Sequence, residues 1–373
     1  MSEHDPGASW PPPPAGGGRP AGYGSGYEPR QPFVPPPVPA PLPRFPHPEP
    51  RPYHLMLRTW NYRWWRPAVG VVIVVFGMFI IAPIVFLPVL ALGVYAEGGP
   101  FWQKFQDAAT LKTVDPAALL YLNLALGSMV FVTWFVMRVV HRMRPRWLMS
   151  VKPRIRWRFF FACLGLAVVA LVAQLVVGNL LPHSAGTGTG GKLNHFTASS
   201  AAIAIIVIFT TPLQAAGEEY VFRGYLMQAF GSILGVHESV VRRELSKWTA
   251  ILLTAFLFGL AHGAQNFPLF FDRFMFGLIA GYLVILTGGL EAGIALHILN
   301  NFLAFGVAVL YGDLTKTLTV SDASWWQIVL TLTQSGVYLG LVAIVARRME
   351  VQTMTNPPPA ASAGEQPAAV TAV

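Results

Sequence analysis

The chain has 373 residues, 54% of them hydrophobic and only 12% charged, with a mean hydropathy of +0.50. A soluble domain of this length rarely shows that balance, so the composition argues against an ordinary soluble enzyme and for the bilayer. The formal net charge of +9 is read as membrane-orientation information and not as a nucleic-acid footprint, because the cations crowd beside apolar runs.

Residues 1–57 hold 18 of the 32 prolines, interspersed with Gly, Ser and Tyr, and contain no N-terminal apolar core of the kind a signal peptide needs. Such a segment buries too little apolar surface to offset its chain entropy. The expectation is a disordered cytoplasmic tail whose Pro-rich stretch could dock a partner. Eight apolar runs follow, at about 68–96, 116–138, 159–182, 198–230, 248–264, 273–288, 291–311 and 325–346. A crossing of roughly 30 Å of hydrocarbon takes about 20 helical residues. The fourth run is too long for one straight crossing, and Pro212 and Gly217 suggest a kink or break within it. The fifth and sixth are short, which suits a protein-lined interior. The expected fold is all-α, a polytopic membrane helical bundle of about eight transmembrane helices over 58–350, followed by a disordered tail at 351–373.

Charge placement orients the bundle. Seven Lys and Arg lie from Arg19 to Arg66, and eight more crowd the link from Arg138 to Arg158. With the N-terminus in the cytoplasm, alternating loops put 20 Lys and Arg on cytoplasmic segments and five outside. Both termini are therefore expected in the cytoplasm of a multi-pass cell-membrane protein, bacterial in the style of its Pro- and Ala-rich tails. Cys163 is the single cysteine, so no internal disulfide forms.

Ionisable groups inside a span cost roughly 2.5 to 3.5 kcal/mol each at the bilayer centre, so those present should face a cavity or a partner. Among nine histidines only His262 and His297 fall inside runs; among seventeen acids only Glu218 and Glu219 lie well within one, with Glu291 at an edge. On a helix Glu219 and Arg223 are four apart and can pair, which keeps that acid ionised. Glu218 points about 100 degrees away, free to take and return a proton. Phe258 and His262 share a helical face, as do His297 and Asn301, while Asn300 lies closer to that face than to its opposite.

A Glu-Glu pair with Arg four beyond the second, then Phe-x-x-x-His, then His-x-x-x-Asn, in order on successive apolar runs, resembles the signature of the CAAX-protease and bacteriocin-processing (CPBP, or Abi) family of intramembrane endopeptidases. The likeness covers about 198–311 and extends to type II CAAX prenyl endopeptidases, whose span number is similar. It implies that Glu218 and His262 activate the attacking water and that His297 and Asn301 stabilise the oxyanion. Glu219 and Arg223 are the supporting pair.

Peptide hydrolysis needs an activated water, an oxyanion donor and a proton for the leaving amine, and these residue types supply all three. No nucleophilic Ser or Cys stands in a comparable setting. A second scheme uses Glu218, His262 and His297 as ligands of a divalent metal such as zinc, with an open fourth position. Direct activation is the preferred scheme, since no His-Glu-x-x-His helix exists. The expected partners are the lipid bilayer and a membrane-associated peptide or protein substrate, with no nucleic acid. A non-catalytic membrane scaffold or a proton-coupled transporter would use the same polar cluster differently.

Overall fold

Long apolar runs leave the backbone no partner but itself in hydrocarbon, and the chain answers with helices. The computed structural model describes residues 46–182, 192–233, 239–263 and 265–357. In chain order the helices are α1 (Trp65–Glu97), α2 (Phe101–Ala109), α3 (Pro116–Val139), α4 (Trp157–Leu180), α5 (Ala198–Ile233), α6 (Val240–Leu260), α7 (Phe267–Thr287), α8 (Glu291–Tyr311), α9 (Leu314–Leu318) and α10 (Trp326–Arg348). Among the described residues there is no β-strand, only isolated bridges at Pro52–Met354 and Ser150–Gly289.

Polarity is inverted relative to a soluble bundle. Asn123, Gln214, Glu218, Glu219, Arg223, Gln228, Glu291, His297 and Gln334 are buried, while Val72, Phe79, Leu92, Phe161, Val172 and Phe209 face outward. Exposed apolar surface on this scale marks contact with lipid. Among the described residues seven helices are long and apolar enough to cross a membrane: α1, α3, α4, α5, α7, α8 and α10. The chain is a multi-pass membrane protein. The fifth expected span is a helix, α6, but it stands outside that set: Arg242, Arg243, Glu244 and Lys247 occupy its first two turns and shorten the apolar stretch.

Hydrogen bonds define two ends of the bundle. At one, Arg58 Nε donates to Ser232 O at 2.6 Å, Val151 N to Gly288 O at 2.8 Å and Thr355 N to Arg51 O at 2.9 Å. At the other, Val114 N meets Thr315 Oγ1 at 2.8 Å, Asn194 Nδ2 meets Gly312 O at 2.9 Å and Asn266 N meets Ser321 O at 2.7 Å. Helix starts at this second end carry side-chain caps: Asp115 Oδ1 accepts from Ala118 N at 2.8 Å, Thr197 Oγ1 from Ser200 N at 3.2 Å and Asn266 Oδ1 from Leu269 N at 3.1 Å. The first end is locked by Arg156, whose Nε and NH2 clasp the two oxygens of fully buried Glu291 at 2.8 and 2.6 Å. Its NH1 reaches Thr287 O at 2.7 Å. That bidentate geometry holds the starts of α4 and α8 to the end of α7.

Three local expectations change. Helix α5 runs through Pro212 and Gly217 and relaxes later, into a π-helical stretch at Tyr220–Leu226 that begins directly after Glu219. Gly217 marks a close crossing and not a break: a Cβ there would collide with the Leu126 carbonyl of α3. The expected N-terminal tail also ends earlier than residue 57, because His47, Tyr53, Leu55, Met56 and Leu57 are buried and the Tyr53 hydroxyl donates to Leu148 O. Residues 351–357 likewise pack beside Arg51 and Pro52. Residues 1–45 and 358–373, where the remainder of both tails was expected, lie outside the described residues.

Candidate active site

The π-helical stretch, α8 and the end of α6 meet around a cavity of about 830 Å3 whose wall includes Glu218, His262, His297 and Asn301. π-Helical turns recur at functional sites because the widened turn re-aims side chains. Here the residue before it, Glu219, is fully buried, and so is Arg223 inside it. Arg223 NH1 donates to Glu219 Oε1 at 3.0 Å, the pair that the four-residue spacing predicts. The Arg223 guanidinium carbon also stands 4.0 Å over the Phe258 ring, a cation–π contact that offsets part of its desolvation. Gly293 on α8 makes room for this acid: a Cβ there would lie 2.8 Å from Glu219 Oε2.

His297 is fixed by the same carboxylate. Its Nδ1 donates to Glu219 Oε1 at 2.9 Å, since a carboxylate accepts, and this sets the ring so that Nε2 lies on the Glu218 side, 3.7 Å from Oε2. Phe276 packs edge-on to the imidazole with ring centroids 5.1 Å apart. Glu218 belongs to the same helix but a different environment. Its Oε1 accepts a hydrogen bond of 2.5 Å from Gln214 Nε2, and among the described residues no Lys or Arg pairs with it as Arg223 pairs with Glu219. Asn301 Nδ2 donates at 2.9 Å to Gln214 Oε1, so Gln214 links Asn301 to Glu218.

His262 follows the end of α6 in a turn and is exposed on the cavity wall. Its Nδ1 donates to the Phe258 carbonyl at 2.8 Å, which leaves Nε2 with a lone pair in the neutral ring. Phe258 lies between the two histidines, its ring centroid 4.7 Å from that of His262 and 6.0 Å from that of His297. The structure therefore joins Glu218, Glu219, Arg223, His297 and Asn301 in one chain of contacts, and relates His262 to them through Phe258 and the shared cavity. Asn300, left open by spacing, accepts from Gln334 Nε2 at 3.1 Å instead of joining that chain, although it too lines the cavity.

The zinc scheme gains no support from this geometry. Among the described residues no three His, Cys, Asp or Glu side chains come close enough together to hold a metal ion.

Three contributors escaped the reading of the sequence. Gln214 was hidden as an uncharged residue, though it stands one turn before Glu218 on the same helix face. The sixth run as read from the sequence, 273–288, leaves Asp272 outside it, whereas α7 starts at Phe267 and carries Asp272 and Arg273 into the cavity wall. Asp272 Oδ1 accepts from the Thr331 hydroxyl and, at 3.2 Å, from Gln327 Nε2.

The uncharacterized protein YyaK of Bacillus subtilis (strain 168) is 25% identical over 252 residues, covering 63% of this chain and 77% of YyaK. No solved structure matches the chain significantly. Residues 199–303, which contain Gln214, Glu218, Glu219, Arg223, His262, His297 and Asn301, match the family model described as Type II CAAX prenyl endopeptidase Rce1-like, so the resemblance carried by the three sequence elements holds over this segment.

Proposed function

We propose that this protein is an intramembrane endopeptidase that hydrolyses a peptide bond near the end of a membrane-associated protein or peptide. The observation that carries the reading is the pairing of unlike acids on one helix: Glu219 tied to Arg223 and His297, Glu218 accepting from the Gln214 amide and facing His297 Nε2 at 3.7 Å. Glu218 is then the group that removes a proton from water and passes it to the leaving amine, with His262 as the second participant at the cavity wall. With a proton on Nε2 as well as on Nδ1, His297 donates to the oxyanion beside the second N–H of Asn301, and Gln214 holds both Asn301 and Glu218 in place. The family description names prenylated CAAX ends; the proposed substrate class is the broader one, a peptide terminus held at the membrane.

Orientation follows the cations. Lys104, Lys112, Lys192 and Lys316 lie toward the second end, and the first end carries Arg58, Arg66, the Arg138–Arg158 cluster, Arg347 and Arg348. The first end is the cytoplasmic one in a cell membrane, with both termini on that side.

The test is a product map. Full-length protein in liposomes is incubated with membrane-anchored peptides in water enriched in oxygen-18, and the fragments are read by mass spectrometry. One heavy oxygen in the new carboxyl establishes hydrolysis, and an unchanged rate under zinc chelation with no transfer of the acyl fragment to added hydroxylamine supports direct water attack. Absence of cleavage across the peptide panel favours the scaffold reading.

A further inference from the structure

A second concavity, of about 860 Å3, lies at the first end between the segment leading into α4 and the residues after α10. It shares no lining residue with the catalytic cavity. Arg146, Lys152, Arg154 and Arg158 line it, and among the described residues none of the four makes an ion pair. The fifth cation of the wall, Arg156, is already neutralised by Glu291 and pins the cleft by donating to Gln352 O at 3.1 Å. One acid, Glu350, completes the rim. Four free cations against one carboxylate would repel each other unless an anion sits among them.

What lies next to the cleft decides which anion. Trp157, in the first turn of α4, lines the cleft and is exposed, as an interfacial indole is. Beyond it Phe161, Val168, Val172 and Val176 are exposed and recur at helical spacing, so they form an apolar column along one face of α4. We propose that the cleft binds the phosphate headgroup of an anionic phospholipid, with the acyl chains lying along that column. A soluble phosphate or an acidic peptide would satisfy the cations and leave the column unused. Glu350, out of place in a site for bare phosphate, suits a hydroxylated headgroup, to which a carboxylate can accept a hydrogen bond.

The experiment titrates detergent-solubilised full-length protein with phosphatidylglycerol, phosphatidylcholine or glycerol phosphate and follows the thermal midpoint, which rises with any ligand of the folded state. Phosphatidylglycerol should raise it; phosphatidylcholine and glycerol phosphate at equal concentration should not. At about fivefold per cation removed, K152Q/R154Q/R158Q should weaken phosphatidylglycerol binding on the order of 100-fold. R347Q/R348Q, at the same end but outside the cleft, should keep the wild-type affinity. Equal response to phosphatidylcholine or to glycerol phosphate overturns the proposal, as does undiminished binding by the triple variant or an equal loss in the control. If the triple variant does not fold, the headgroup comparison on wild-type protein and the single variant R158Q decide the same question.

Discussion

His297 on α8 is oriented by Glu219 on α5: one carboxylate oxygen, Oε1, takes the Nδ1 proton at 2.9 Å and the Arg223 NH1 proton at 3.0 Å. Removing either donor leaves a fully buried acid short of a partner. Arg223→Ala should therefore destabilise the protein by about 3 to 5 kcal/mol, the usual cost of stranding a buried charge. Denaturant unfolding in mild detergent measures it. A variant as stable as wild type would show that Glu219 is neutral or differently held.

Gln214 is expected to act by position. Gln214→Ala removes the donor to Glu218 Oε1 and the acceptor for Asn301 Nδ2 together. A catalytic group displaced by about 1 Å can lose on the order of 100-fold in rate, so kcat should fall by about that factor with KM nearly unchanged. Gln214→Glu, which keeps the acceptor but sets a second carboxylate beside Glu218, should be slower still. A pure KM effect would instead place Gln214 in substrate binding.

Asn301→Ala should leave a slow enzyme, reduced about 10²- to 10³-fold in kcat, as for loss of one oxyanion donor. Asn300→Ala is the comparison, because its oxygen is engaged with Gln334. Steady-state cleavage of one membrane-anchored peptide by both variants separates the two. Equal losses would undo the assignment of Asn301.

Acid should unfold the first end of the bundle before carboxylates titrate. Burial lowers His47, His54 and His141 from 6.5 to about 4, and all three lie outside the membrane-spanning helices. Because the folded form holds these rings neutral, their contribution is fully present above 6.5 and is lost as pH falls from there toward about 4. The thermal midpoint should drop steadily across that window, and His54→Gln should flatten the slope. A midpoint independent of pH down to about 5 would mean the rings are hydrated.

How much of this the sequence displays differs from element to element. The membrane character and the Glu219–Arg223 pair are written in local spacing, since apolar length and a four-residue offset each have one helical consequence. The relation of Glu218 to His297 is not, because it depends on how far α5 and α8 approach, which Gly293 makes possible by leaving room for Glu219. The π-helical stretch at Tyr220–Leu226 has no residue signature: a Pro draws attention to position 212, yet the ladder relaxes beyond it. Tyr53-His54-Leu55-Met56-Leu57 is too short an apolar run to stand out behind a Pro-rich leader, and only its packing against Leu148 and Gly231 reveals it. Polar helices mislead in the opposite sense, as the charges at the start of α6 show.

The central claim is that Glu218 deprotonates the attacking water, and Glu218→Gln tests it most directly. The substitution keeps the shape of the side chain in the cavity and removes the base. Cleavage of a membrane-anchored peptide by purified wild-type and variant protein in liposomes is measured side by side, with the thermal midpoint as the check on folding. The account predicts no detectable turnover by a variant as well folded as wild type. Turnover by Glu218→Gln within about tenfold of wild type, a difference of only about 1.4 kcal/mol in barrier, would contradict it.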